Sequence, residues 1–134
     1  MRTDSAGLQV LSPEECMALL ASARIGRIVY TDRALPAVQP VDFHLDGERI
    51  VILTSSGSKL AVAAANAVVA FETDEYEVET RTGWSVTAVG RSRTVDEPEE
   101  AAALARLPLR SWAPGRDHYI VVDLQQLSGR RIRR

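Results

Sequence analysis

The sequence predicts an α+β fold, mainly β, in which a small antiparallel barrel of about six strands is flanked by short helices. Three observations predict it: β-branched and aromatic runs separated by turn signals, an Asp-Gly pair between two such runs, and two alanine-rich helical segments. Strands that are joined mostly by hairpins favour antiparallel pairing. The length of 134 residues predicts one domain over residues 1–134.

Composition limits the class of protein. Hydrophobic residues make up 46% of the chain and charged residues 25%, which is typical of a soluble globular domain. The formal charge of −2 and the isoelectric point near 5.7 argue against a nucleic-acid binder. No apolar run has the 18 or more residues of a membrane span, and the start of the chain lacks the apolar stretch of a secretory signal, so we expect a cytoplasmic protein. One cysteine and two histidines offer little for zinc, so no metal site is predicted.

The N-terminal part is predicted to contain a leader, a helix and two strands. Residues 1–10 are expected to form a loose leader. The segment Ser12-Pro13-Glu14-Glu15 has the pattern of a capping box with proline at the first helical position, which predicts a helix over about 12–23. Residues 25–30 are rich in β-branched and aromatic residues, and residues 37–45 alternate between apolar and polar, so each predicts a strand.

The strongest turn signal is Asp46-Gly47, which precedes the apolar run at residues 50–53. A two-residue type I′ turn at this pair would place Phe43 opposite Ile50, so that the apolar residues share one face. The run at 50–53 is apolar on both faces, and we therefore expect it to be covered on both sides.

The rest of the sequence predicts further helices and strands. They are a short alanine-rich helix at 58–66, a strand at 67–72, an acidic stretch interpreted as a solvated strand edge, a long strand at about 84–95, a helix at 98–107, a strand at 119–124 and a basic surface tail at 130–134.

The segment from Leu53 to Lys59 is the most informative for function. It presents four hydroxyl side chains around Gly57, and Lys59, the only lysine among 16 basic residues, lies in the first turn of the next helix. Backbone N–H groups at a helix start, hydroxyls and an ammonium all suit an anion such as phosphate. The segment lacks the first glycine of a P-loop. A serine-rich turn that only caps the helix is the alternative interpretation.

The two tryptophans are the other candidates for ligand contact. Trp84 begins a strand and Trp112 lies in a loop. An indole stacks well on a planar ligand, and it also serves to plug the end of a barrel. Neither histidine lies in a recognisable nucleophile motif, so the sequence predicts no catalytic acid, base or nucleophile.

The order of the motifs carries a family resemblance over residues 12–132. After the capped helix come Ile25-Gly26-Arg27-Ile28, Pro40-Val41-Asp42-Phe43, Thr54-Ser55-Ser56-Gly57-Ser58-Lys59-Leu60, Val69-Ala70-Phe71-Glu72, Gly83-Trp84-Ser85-Val86 and Gly90-Arg91. In this order and spacing they resemble the pyridoxamine 5′-phosphate oxidase-like flavoproteins, whose fold is the FMN-binding split β-barrel. The most similar branch is the small actinobacterial, nitroimidazole-reductase-like group.

The resemblance implies a homodimer with two FMN sites in the subunit interface. By position, Thr54, Ser55, Ser58 and Lys59 match the segment that holds the FMN phosphate; Pro40, Val41, Asp42 and Phe43 match the strand beside the isoalloxazine ring; and Trp84 and Ser85 match the strand that reaches the site, often from the other subunit. Trp112 and Arg130 are suggested for the substrate side. Related barrels bind a deazaflavin cofactor or haem, which stay as alternatives to FMN.

The function implied by the resemblance is an FMN-dependent oxidoreductase acting on a small molecule. The chain has no second phosphate loop of comparable quality, so the family's name does not give its activity. The competing hypotheses are a flavin or haem binder without catalysis, a deazaflavin-dependent reductase, and an interaction module without a chromophore. Neither the electron donor nor the acceptor can be predicted from the sequence.

Overall fold

Seven strands and three helices follow one another in the computed structural model, which describes residues 2–109, 115 and 117–133. The strands are β1 (Gln9–Val10), β2 (Ile25–Asp32), β3 (Leu35–Asp46), β4 (Arg49–Thr54), β5 (Asn66–Glu77), β6 (Thr82–Thr94) and β7 (His118–Ile132). The helices are α1 (Pro13–Ser22), α2 (Lys59–Ala63) and α3 (Pro98–Leu104). None of these helices is both long and apolar enough to cross a bilayer.

Six of the strands close into a barrel. The strand order is β1-β7-β4-β3-β2-β5-β6, every pairing is antiparallel, and a further β6–β7 ladder joins the ends. Strand β7 pairs with β6 along most of its length, while its first half also pairs with β4 and its last residues with β1. The predicted barrel of about six antiparallel strands with short flanking helices is therefore confirmed, and β1 adds a short seventh strand.

The barrel interior is filled by alternate side chains of its strands, as the period-two pattern predicts. Its buried side chains include Ile28, Val41, Phe43, Ile50, Ile52, Phe71, Val86, Ile120 and Val122, and Leu60 of α2 joins them. The rings of Phe43 and Phe71 meet edge to face at 4.6 Å. Because the interior is occupied by side chains, a ligand has to bind outside the barrel.

Both faces of β4 are buried, as predicted, and residues of this same chain bury them. Ile50 and Ile52 face the barrel interior, whereas Val51 packs outside it against Val121 and Leu104 of α3. This strand therefore needs no second copy of the chain to bury its apolar residues.

Helix α1 begins as the sequence predicts. The Ser12 hydroxyl accepts a hydrogen bond from the Glu15 N–H, and the Glu15 carboxylate accepts one from the Ser12 N–H, both at 3.1 Å. The Ser12 N–H group also holds the pKa of Glu15 below its ordinary value. Cys16 lies on the buried side of this helix, and burial raises the pKa of its thiol.

The predicted register of the β3–β4 hairpin is wrong. Asp46 pairs with Arg49, and Phe43 pairs with Ile52 instead of Ile50. The two central residues of the turn are therefore Gly47 and Glu48, and of these two only Gly47 has a positive φ, +63°, as a type II′ turn requires. The pairing shifts by two positions, so the apolar side chains stay on the face that the pattern predicts.

The two ends of the chain also differ from the prediction. The expected loose leader is held in place, because β1 pairs with β7 and Asp4 Oδ2 accepts a hydrogen bond from Arg130 Nε at 2.8 Å. The predicted basic tail is the end of strand β7, whose ladder with β6 continues to Ile132. Strand β5 continues through the acidic stretch to Glu77, and α3 ends three residues earlier than predicted.

Candidate functional site

The residues predicted to hold a phosphate form one tight turn between β4 and α2. The Ser58 N–H donates to the Ser55 carbonyl at 3.2 Å, and Gly57 has a φ of +76°, which favours glycine. The Ser58 hydroxyl caps α2 by accepting from the Ala61 N–H at 3.0 Å. It also lies 3.1 Å from the hydroxyl of Thr54, which is 2% exposed. Thr54 and Ser58 therefore fix the shape of the turn.

Two of the four side chains predicted to hold the phosphate stay available to a ligand. Lys59 is exposed and Ser55 is half-buried. Within residues 2–109, 115 and 117–133, the Lys59 ammonium forms no ion pair and the Ser55 hydroxyl makes no hydrogen bond. An ammonium without a counter-ion beside a hydroxyl donor suits a phosphate group.

The four predicted residues of β3 are divided between the two faces of the strand. Val41 and Phe43 are buried in the barrel, at 0% and 4% exposure, so only their main-chain atoms can reach a ligand outside it. Pro40 and Asp42 point outwards, Pro40 being exposed and Asp42 half-buried. Pro40 lies opposite Arg27 of β2.

Trp84 and Ser85 likewise point to opposite faces of β6, because they are consecutive residues of a strand. Trp84 lies on the face of buried Val86 and packs against the edge of the barrel core. Ser85 lies on the outer face, between Asp74 and Arg130 in the sheet.

The predicted residues also lie at opposite ends of the barrel. Thr94 lies ten positions after Trp84 on β6, and it pairs with Ile120 near the end of the barrel where β4 enters the Thr54–Lys59 turn. At about 3.3 Å per residue this is roughly 33 Å, or somewhat less along a coiled strand. A single chain therefore does not bring Ser85 or Trp84 near Lys59.

Sequence reasoning missed an apolar row on the outer face of the barrel. Val38, Val29, Ala70 and Val89 are neighbours across four strands, and we call these four residues the outer row. Val38 is 64% exposed, and Val68, which also points outwards on β5, is 55% exposed. The signal was present in the sequence, because the run from Ala67 to Phe71 is apolar at every position and predicts cover on both faces.

An ionic cluster lies next to the outer row. Arg27 Nη1 donates to Glu72 Oε1 at 2.9 Å and to Asp74 Oδ2 at 3.3 Å. Burial raises the pKa of Glu72, and the neighbouring Asp74 carboxylate raises it further. The cluster therefore places a carboxyl group with a raised pKa on the same face as Ser85.

The two residues suggested for the substrate side have different outcomes. Arg130 points to the outer face, and its guanidinium is held by Asp4 of the N-terminal segment. Trp112 lies outside the described residues.

A profile of the family described as pyridoxamine 5′-phosphate oxidase matches residues 12–131. The chain belongs to this family. It is 37% identical over 128 residues to the uncharacterized protein Rv0080 of Mycobacterium tuberculosis, a match that covers 91% of this chain and 84% of the relative.

Solved structures of the same fold come from Mycobacterium smegmatis and Corynebacterium glutamicum. The FAD binding protein from Mycobacterium smegmatis is 36% identical, with a TM-score of 0.78, and the match covers 93% of this chain and 100% of that one. A Corynebacterium glutamicum protein named for pyridoxamine 5′-phosphate oxidase is 29% identical, with a TM-score of 0.81, over 93% of this chain and 92% of that one. The predicted family and the split β-barrel fold are both confirmed.

Proposed function

We propose that this protein is a cytoplasmic flavoprotein oxidoreductase that binds a phosphorylated flavin between two copies of the chain. Its membership of the pyridoxamine 5′-phosphate oxidase family supports a flavin, as does the M. smegmatis relative, which is an FAD binding protein. The main observation behind a site shared by two copies is that Lys59 and Ser85 lie at opposite ends of the barrel of one chain.

The residues of the Thr54–Lys59 turn fit the phosphate of a flavin. Lys59 supplies an exposed ammonium and Ser55 a hydroxyl, while Thr54 and Ser58 keep the turn in shape through their mutual contact and the cap of α2. The outer row and Pro40 offer an apolar surface on which a planar ring can lie. The bound flavin would supply the redox chemistry, and the chain would bind it, orient it and exclude water.

A second copy of the chain would complete the site. A two-fold axis that lies in the plane of the interface, perpendicular to the strands, brings the outer faces of two copies together and reverses the strand direction in the second copy, so the Ser85 end of one copy meets the Lys59 end of the other. The same contact would bury Val38 and Val68, which are large exposed apolar side chains in a single chain. The homodimer is therefore part of the proposal, and the outer face is its interface.

The flavin proposed first is FMN, and FAD is the alternative. Both carry the phosphate next to the ribityl chain, which is the group that the Thr54–Lys59 turn would hold. The M. smegmatis relative favours FAD as the alternative. A deazaflavin cofactor and haem are weaker alternatives, since no observation on this chain favours them over a flavin.

The first experiment is the absorption spectrum of the purified protein and the mass of the cofactor that is released on denaturation. Flavin absorption with a released mass of FMN supports the proposal, and the mass of FAD selects the alternative. A colourless protein that takes up neither added flavin would refute it. Light scattering checks the assembly, since a monomer with fully bound flavin would contradict the shared site.

A flavin binder without catalysis is the second candidate function. The sequence pattern predicted no catalytic acid or base, which is consistent with binding alone. Steady turnover of a reduced nicotinamide with an electron acceptor supports the oxidoreductase. Tight flavin binding without reduction by any donor supports the binder.

A further inference from the structure

The end of the sheet beyond the barrel carries a cleft that the proposed flavin site does not use. Here β5, β6 and β7 extend, with the short strand β1 along the other edge of β7, and a cavity of about 360 Å³ lies on the face that carries Trp84. We call it the Trp84 cleft. Ser85 and the outer row point to the opposite face of the sheet, so the cleft is separate from the proposed dimer interface.

Acidic and basic side chains lie on opposite sides of the Trp84 cleft. In the register of the sheet, Trp84 lies between Glu75 of β5 and Arg131 of β7. The next residues on the same face are Glu77 of β5 and Arg133, directly after β7, and they also line the cleft. The cleft therefore has an acidic side, an aromatic floor and a basic side. With strands about 4.8 Å apart, the acidic and basic sides are separated by about 10 Å at the backbone.

Three charged side chains of the Trp84 cleft, those of Glu75, Glu77 and Arg131, are available to a ligand. Glu75 and Glu77 are exposed, and neither forms an ion pair with any residue that the structure describes. Arg131 makes one side-chain hydrogen bond with the described part of the chain, from Nη1 to Glu15 Oε2 at 3.3 Å, so its other N–H donors can reach an anion.

We propose that the Trp84 cleft binds a small planar ring that carries an anionic group at one end and a cationic group at the other. The ring stacks on the Trp84 indole, the anion pairs with Arg131, and the cation pairs with Glu75. A ligand with one charge leaves the opposite side of the cleft unmatched, and a dianion meets two carboxylates. The volume of the cavity is within the range of small-molecule sites, about 300–1,000 Å³.

The experiment titrates para-(aminomethyl)benzoate into the protein and follows the fluorescence of Trp84. A Trp112→Phe background makes Trp84 the only indole. Benzoate and benzylamine, which each carry one of the two charges, are the comparison ligands. Since exposed ion pairs contribute less than about 1 kcal/mol each, we expect the zwitterion to bind about two- to fivefold more tightly than either single-charge ligand. Equal binding of all three ligands, or no quenching, would overturn the proposal.

Variants assign each charge to its side chain. We expect Arg131→Met to weaken the zwitterion and benzoate by about two- to fivefold and to leave benzylamine unchanged. Glu75→Gln should weaken the zwitterion and benzylamine and leave benzoate unchanged. If circular dichroism shows that the arginine variant is misfolded, the glutamate variant alone tests the proposal. Arg27→Met, on the outer face, is the matched control. Equal effects of the two arginine variants would contradict the proposal.

Saturating flavin separates this cleft from the proposed flavin site. We expect the zwitterion to bind with the same affinity in the presence of FMN. Displacement by FMN would overturn the inference, because it would place the ring of the flavin on Trp84. If the protein takes up no flavin but the zwitterion binds as described, only the proposed function fails.

Discussion

Replacing Lys59 with methionine tests the assignment of the phosphate site. Methionine keeps most of the length of the side chain and removes its charge. The fold should survive, because the cap of α2 comes from Ser58, and the ammonium of Lys59 forms no ion pair with the residues that the structure describes. A cation in the first turn of a helix is slightly unfavourable to the helix dipole, so we expect no loss of stability in the apoprotein.

The size of the effect depends on whether the turn is covered. In a single chain Lys59 is exposed, and an exposed ion pair contributes about 1 kcal/mol at most, which is roughly fivefold in affinity. In the proposed dimer the second copy shields the turn, and a hydrogen bond to a charged group contributes about 1.5–3 kcal/mol. Since about 1.4 kcal/mol corresponds to a factor of ten, we expect FMN to bind roughly one to two decades more weakly.

The assay is a fluorescence titration of the apoprotein with FMN and with riboflavin, which lacks the phosphate. Riboflavin should lose much less affinity than FMN, and Lys59→Arg, which keeps the charge, should retain most of the FMN affinity. An unchanged FMN affinity would refute the assignment of Lys59 to the phosphate, as would an equal loss for both ligands. A loss of fivefold or less would instead refute the covered site.

Three further predictions concern stability. Ser58→Ala removes the cap of α2 and should lower the free energy of unfolding by about 1 kcal/mol in a urea titration; an unchanged midpoint would contradict the cap. Gly90→Ala would drive a Cβ into the carbonyl oxygen of Asp123 at the β6–β7 bulge, and we expect a loss of about 1–3 kcal/mol; full stability would argue against this close approach. The hydrogen bond from Arg93 lowers the pKa of Glu100, so its contribution to stability is present above the ordinary pKa of 4.5 and is lost as the pH falls through the lower folded value. Glu100→Gln should therefore flatten the acid side of a plot of melting temperature against pH, and an unchanged slope would count against it.

The local elements of the fold could be predicted because they depend on neighbouring residues. The capping box of α1 needs only Ser12 and Glu15, three positions apart, and the structure has both of its hydrogen bonds. The alternation in β3 correctly predicts that Val41 and Phe43 face the interior. The turn between them could not be placed, because a shift of two positions keeps every apolar side chain on the same face.

The extent of β7 depends on contacts that lie far apart in the sequence. Its last residues read as a basic tail, since arginines are typical of solvated segments. In the structure they are strand residues because β6 pairs with them, and because Asp4, 126 positions away, holds Arg130. Such a partner cannot be identified from a local pattern.

The sequence by itself determined the type of residue at the candidate site and, through strand alternation, the face on which each side chain lies. It placed a hydroxyl-rich turn before Lys59, and it implied that consecutive residues such as Trp84 and Ser85 point in opposite directions. Only the tertiary structure decided that this turn and these two residues lie at opposite ends of the barrel. The physical reason is that side-chain direction follows from the backbone of one strand, whereas position along the barrel follows from how six strands pair in register and close.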